Sequence, residues 1–213
     1  MTKAEIEIIK SVEKDIRELF AGEFSGHDVL HTLRVVKNAC MLNKDGEGDE
    51  FIIILACLLH DADDRKLFPE TAENNGNARK ISEKNGVSKE ITERIIDIIN
   101  SVSFSSGKTP GSLEGKIVQD ADRLDAIGAV GIARCFSFGG SRNRPMYEEG
   151  DFSGNGSGES SVAHFYNKLL KLEGLMNTAK GREEAEKRTA FLKSFLERLS
   201  EETDITSLLD LYI

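Results

Sequence analysis

The stretch that most constrains this chain is Phe51-Ile52-Ile53-Ile54-Leu55-Ala56-Cys57-Leu58-Leu59, followed at once by His60-Asp61-Ala62-Asp63-Asp64. Nine residues with no polar side-chain atom except one thiol belong inside a core. The element that carries them then sets an imidazole and three carboxylates at one end of that core. Imidazole and carboxylate suit borderline to hard divalent cations, and adjacent His and Asp can both reach one ion where the backbone turns. The same residues also suit an ordinary helix end, with solvated carboxylates and His60 near the negative end of the dipole. The rest of the chain favours the first reading.

Three consecutive isoleucines would fit a buried strand, but the neighbouring periodicity is helical and decides for a helix. Thr2 and Glu5 form a capping box, and Ile9, Val12, Ile16, Leu19 and Phe20 follow at three- and four-residue spacing, so a first helix runs to about Ala21. Val29, Leu33, Val36 and Cys40 make a second stripe, ending near Asn43, with His27, His31, Arg34 and Asn38 along one polar face. Asp49 can cap the helix of the apolar run. Further helices are expected around 78–84, stopped by Gly86, and from Ser88 with Ile91, Ile95, Ile98 and Ile99 inward. From Ser112 another helix puts Asp122 and Asp125 on one face with Val118 and leads into Ile127-Gly128-Ala129-Val130-Gly131, whose small residues suit close helix approach. Residues 139–161, rich in glycine and serine, read as a loop that is either a mobile lid or a disordered linker. Stripes at 162–172 and 190–199 close the chain with two helices. The fold class is all-α, a single domain over 1–213 with a motif core at about 24–147 and the helices of 160–213 packed on it.

Composition narrows the function. Cys40, Cys57 and Cys135 are far apart, in apolar surroundings and without a Cys-x-x-Cys pair, which argues against a disulfide framework and a thiolate zinc site. They read as buried thiols of a reducing cytoplasm. The first residues lack the apolar stretch of a signal peptide, and nine apolar residues are too few to cross a bilayer. A formal charge of −9 opposes binding to nucleic acid backbones or anionic membranes, while a small phosphate can still be drawn into a locally basic or metal-containing cleft.

His31, His60, Asp61 and either Asp120 or Asp122 together supply two imidazoles and two carboxylates, and facing helices can assemble such a set into a metal site. His31-x-x-Arg34-Val35, Leu59-His60-Asp61-x-x-Asp64 and Asp120-Ala121-Asp122-Arg123-Leu124-Asp125 resemble, in order and spacing, the HD-domain superfamily of metal-dependent phosphohydrolases. The run through Ala126-Ile127-Gly128 and Ala133-Arg134 brings the resemblance closest to its small bacterial nucleotide-hydrolase branch. The resemblance implies an all-α fold and metal ligands His31, His60, Asp61 and Asp122, the last because the family's Ala-Asp-x-Leu pattern puts its ligand after the alanine. Asp120 is then left to orient Arg123 or a ligand histidine. Asp63-Asp64 stands where the guanosine tetraphosphate branch has Glu-Asp, and the Gly-Tyr-Pro segment of the cyclic-dinucleotide branch is absent from the sequence.

The activity so implied is hydrolysis of a nucleotide with a divalent ion, Mn²⁺ favoured over Mg²⁺, Fe²⁺, Ni²⁺ or Zn²⁺. A nucleoside triphosphate cut to monophosphate and pyrophosphate is its most concrete form. Asp64 is expected to accept or orient the water's proton, with His27 and Lys66 assisting. Arg34, Arg123, Arg142 and Arg144 are expected to bind substrate phosphates. His164, far from the motif, is read as having no function. The alternatives are a nucleotide-responsive metal-binding module without turnover, a phosphomonoesterase or phosphodiesterase of the same superfamily, and a helical scaffold with coincidental histidines.

Overall fold

A computed structural model describes residues 1–22, 28–102, 109–154 and 158–203. Its elements are α1 (Lys3–Leu19), α2 (Val29–Leu42), α3 (Glu50–Leu59), α4 (Gly76–Lys84), α5 (Lys89–Val102), α6 (Leu113–Asp125), α7 (Gly128–Ser141), α8 (Ser161–Asn167) and α9 (Ala179–Thr203), with short 3₁₀ turns at Asp151–Ser153, Leu169–Lys171 and Glu173–Leu175. Among the described residues there is no strand, and no helix is long and apolar enough to cross a membrane. The chain divides into two compact units, Met1–Asp125 with Met176–Arg182, and Ala126–Leu175 with Glu183–Ile213.

The first unit is built around α3. All nine residues of the apolar run are buried, as expected of a helix that is hydrophobic on every side, and α1, α2, α5 and α6 pack around it. Asp49 caps it by accepting the Ile52 N–H at 3.3 Å. The preceding turn is held by Asn43, whose side chain accepts the Gly48 N–H at 2.9 Å and donates to the Gly48 carbonyl at 3.1 Å. Helix α2 lies along both α3 and α6. His31, Arg34 and Asn38 do share a face of α2, and that face meets α6: the Asn38 amide donates to the Ala121 carbonyl at 3.0 Å. His27 lies outside the described residues.

In the second unit the glycine-rich start of α7 works differently from simple helix approach. A side chain at Gly131 would collide with the carbonyl of Ala126, so this glycine lets the chain fold over itself at the helix start. Within residues 139–161, the described stretches 139–154 and 158–161 carry defined structure. Helix α7 continues to Ser141, the Pro145 and Met146 carbonyls accept the Ser161 and Val162 N–H groups at 2.9 and 3.0 Å, and buried Asp151 binds the Ser160 hydroxyl and the Glu148 N–H. Residues 155–157 of that stretch lie outside the described ones. The helix expected over 162–172 ends at Asn167, because Lys168 leaves helical geometry (φ −136°, ψ −59°) and 3₁₀ turns follow. Helix α9 starts well before its apolar stripe; its first turns are rich in helix-forming Ala, Lys, Glu and Arg and carry the i,i+4 pairs Glu183–Lys187 and Glu184–Arg188, each at 2.9 Å. Phe136, Phe165 and Phe195 form its aromatic core, with centroids 5.8 to 6.0 Å apart.

Candidate metal centre

The convergence expected of His31, His60, Asp61 and Asp122 is present, and all four lie in the first unit. His31 Nε2 is 3.3 Å from His60 Nε2. The Asp61 carboxylate is 3.5 Å from the first and 3.4 Å from the second. The Asp122 carboxylate is 3.4 and 3.9 Å from the same two atoms. His31, His60 and Asp122 each offer a donor atom, and these atoms all lie within 4.8 Å of one another.

Local structure accounts for each placement. Asp28 caps α2 by accepting the His31 N–H at 2.8 Å, which fixes the helix start one turn ahead of the ring. After Leu59 the backbone tightens into turns closed by Ala62 N–H to Leu59 carbonyl and Asp64 N–H to Asp61 carbonyl bonds, which swings Asp61 toward the two rings. Asp122 comes from the α6 face that meets α2. Side-chain exposure grades the cluster: His31 and His60 are 2% and 5% exposed, Asp61 14% and Asp122 31%, so the site opens on the Asp122 side.

The tautomers follow from what surrounds the rings. His31 Nδ1 lies 2.7 Å from the Asp125 carboxylate, and His60 Nδ1 lies 2.8 Å from the Cys57 carbonyl. Both partners accept only, so each Nδ1 carries a proton, and each ring turns its Nε2 into the site. Two such nitrogens 3.3 Å apart call for a proton or a metal ion between them. Burial acts to lower the pKa of His31, but the carboxylates of Asp125, Asp61 and Asp122 outweigh it and raise the pKa from 6.5 to about 9. The surroundings therefore favour positive charge. Donors that share one ion at about 2.0–2.2 Å lie roughly 3–3.5 Å apart, close to the spacings here. The residues fit a divalent cation, with a donor set of nitrogen and oxygen suited to it.

Asp125 is the residue that sequence reasoning left without a role. Its side chain is 2% exposed, and besides His31 it accepts Arg34 Nε at 2.7 Å and Arg34 Nη2 at 3.1 Å. A buried carboxylate thus locks the His31 ring and is itself neutralised by a guanidinium, an arrangement common behind metal-bound histidines. The available signal was its place three residues after Asp122 on the same helix face. Arg34, expected to meet phosphate, has two donors occupied here and remains one-third exposed.

Asp120 does something other than orient Arg123 or a histidine. It is fully buried and accepts four hydrogen bonds, from the N–H and side-chain amide of Asn177 at 2.8 and 2.9 Å and the N–H and hydroxyl of Thr178, each at 2.8 Å. Thr178 in turn caps α9, so Asp120 docks that helix start where its dipole favours a negative charge. Asp63 is likewise structural: it accepts the Asn77 and Ala78 N–H groups at 2.9 Å and caps α4 from a distance. Asp64 is half-buried and accepts the Lys66 N–H at 2.8 Å, while the Lys66 side chain is exposed. Arg123 is half-buried; burial lowers its pKa against the opposing pull of Asp120 and Asp122. Arg142 and Arg144 belong to the second unit and line a cleft there.

Comparison with known proteins places this geometry. The HD domain profile matches residues 29–127, a segment that contains all four candidate ligands and Asp125. The Bacillus subtilis protein YpgQ is 39% identical over 208 residues, covering 93% of this chain and 95% of that protein. Its crystal structure in complex with ADP aligns with a TM-score of 0.77 at 34% identity, over 96% of this chain and all of that one. An HD-superfamily hydrolase of Bacillus thuringiensis aligns with a TM-score of 0.74 at 36% identity, over 93% of this chain and 97% of the other. The chain belongs to the HD superfamily of metal-dependent hydrolases.

Proposed function

We propose that this protein hydrolyses a nucleotide at the cluster of His31, His60, Asp61 and Asp122, most concretely a nucleoside triphosphate to monophosphate and pyrophosphate. The observation that carries the reading is the pair of Nε2 atoms 3.3 Å apart, flanked by two carboxylates and opening on one side. The nucleotide part is supported by the likeness to YpgQ, whose structure contains ADP. His31, His60, Asp61 and Asp122 would hold the ion, with Mn²⁺ favoured by a mixed imidazole and carboxylate set. A divalent ion held there supplies Lewis acidity toward a phosphoryl oxygen and toward water.

The chain's own groups supply positioning and proton handling. Asp125 and the Cys57 carbonyl keep the two rings in one tautomer and orientation, so no reorganisation is needed at turnover. Asp64 takes the proton of the attacking water, with the Lys66 N–H on Oδ1 fixing the carboxylate and leaving Oδ2 for that task. Arg34 has donors left beyond its pair with Asp125, and Arg123 sits beside ligand Asp122; these two and the Lys66 ammonium are the groups proposed to meet phosphate oxygens.

Incubation with each common nucleoside triphosphate and Mn²⁺, with products resolved by ³¹P NMR, tests the reading. Monophosphate and pyrophosphate are the expected products. Orthophosphate with a diphosphate, or no turnover by protein shown to hold its ion, would overturn it.

A further inference from the structure

Arg142 and Arg144 are held in the second unit by the way α7 ends. Asn143 takes the left-handed conformation (φ 55°), its N–H donates to the Gly140 carbonyl at 3.2 Å, and the Arg144 N–H donates to the Gly139 carbonyl at 2.9 Å. This is a Schellman closure, and it sets the two arginines on either side of a single turned residue. Both guanidiniums lie over the half-exposed ring of Phe138, with their central carbons 5.5 and 6.0 Å from its centroid. Among the described residues no carboxylate comes within ion-pair distance of either. That is notable in a chain with 37 acidic residues against 28 basic ones, where Arg34, Arg79, Arg188 and Arg198 are all paired.

The two arginines line an open cleft of ≈ 450 Å³ together with Asn143, His164 and Asn167, and Glu159 is its one acidic residue. Ser160 also lines it, but its hydroxyl is spent on Asp151 and the Ala163 N–H. Burial lowers the pKa of His164, and the charges of Lys168 and Arg144 lower it further. Its size lies within the range of about 300–1,000 Å³ typical of small-molecule sites. Two planar guanidiniums held on one aromatic plate offer bidentate donors to a tetrahedral oxyanion, and an anion relieves their mutual repulsion.

We propose that this cleft, lined by groups of the second unit alone, binds a phosphate-bearing anion without need of a metal ion. Arg142 and Arg144 take the phosphate oxygens, and the side-chain amides of Asn143 and Asn167 donate at its rim. His164, which the sequence leaves without a function, becomes part of the lining.

The test uses the full chain in excess chelator, with inorganic pyrophosphate and ADP as separate probes in calorimetric titrations. Pyrophosphate is expected to bind without metal, with an affinity weakened about tenfold or more by Arg142→Ala or Arg144→Ala and lost in the pair. Asn167→Asp, which introduces a negative charge at an exposed position, should weaken it as well, whereas His60→Ala should leave it within about twofold. ADP binding equally well would make a nucleotide's diphosphate the natural ligand class; pyrophosphate alone would make it a free polyphosphate. No binding under chelation, or affinity unchanged by the double arginine variant, would overturn the proposal. Loss of metal-dependent turnover would not bear on it.

Discussion

Asp125 shows how one side chain can govern a site that it does not itself form. It accepts from His31 and from Arg34, so Asp125→Asn exchanges an obligate acceptor for a group that can present an N–H to His31 and frees the guanidinium. Metal affinity is expected to fall roughly 10- to 100-fold, the usual size of such an outer-shell loss, when measured by Mn²⁺ titration; an unchanged affinity would remove Asp125 from the account. Asp120→Ala should behave in the opposite way, destabilising the fold by about 2–4 kcal/mol through stranded donors on Asn177 and Thr178, with little change in metal affinity. Asp64→Asn should keep the ion and lose turnover. The raised pKa of His31 also makes a signed prediction for chelator-treated protein. A folded value of about 9 against 6.5 when unfolded means that its stabilisation is fully present below about pH 6.5 and is lost as pH rises through about 9. Urea unfolding between pH 6 and 10 should show that slope, and His31→Gln should flatten it. The four side chains that converge on the cluster were legible in the sequence because each sits in a short motif. Asp120 and Asp122 were harder to apportion, because choosing their roles requires knowing that residues 177 and 178 return to α6, a contact nearly sixty residues away that no local pattern encodes.

Helices place these side chains, and their ends carry more of the placement than their middles. Asp28 starts α2 at His31, the turn after α3 delivers Asp61, and Asp63 holds the N-terminus of α4. Asp63→Ala should therefore cost about 1–2 kcal/mol in thermal unfolding, in the range of a lost N-cap, while metal content is retained. Loss of turnover on that change, with the ion and the fold retained, would mean that Asp63 and Asp64 have been assigned the wrong way round. Helix α7 offers a paired test: Gly131→Ala meets the Ala126 carbonyl and destabilises, whereas Gly140→Ala meets nothing within 4 Å and should be neutral or stabilising by up to about 1 kcal/mol. Equal effects would mean that the start of α7 is not folded over residue 126. Caps and apolar stripes made most of the helices readable in advance. The first turns of α9 were missed because they have charge pairs in place of a stripe, and the structure of residues 145–154 and 158–161 was missed because the buried bonds of Asp151 to Ser160 and Glu148 leave no periodic trace.

For the whole molecule, an acidic chain with a net charge of −9 gathers a cation-seeking cluster in one unit and two unpaired arginines in the other. The first is what membership of the HD superfamily would lead one to expect, and no linker composition marks the change of unit at residue 126. All the groups assigned to the ion lie in the first unit, so its binding should be indifferent to Arg142 and Arg144. The most direct test of the account is the number of Mn²⁺ ions held per chain at equilibrium, by the parent protein and by His31→Ala, His60→Ala, Asp61→Ala and Asp122→Ala. The account predicts one ion for the parent and none for each of the four variants at the same free-metal concentration. A full equivalent retained by any of the four, with the fold intact, would contradict the central claim that these side chains jointly hold the ion.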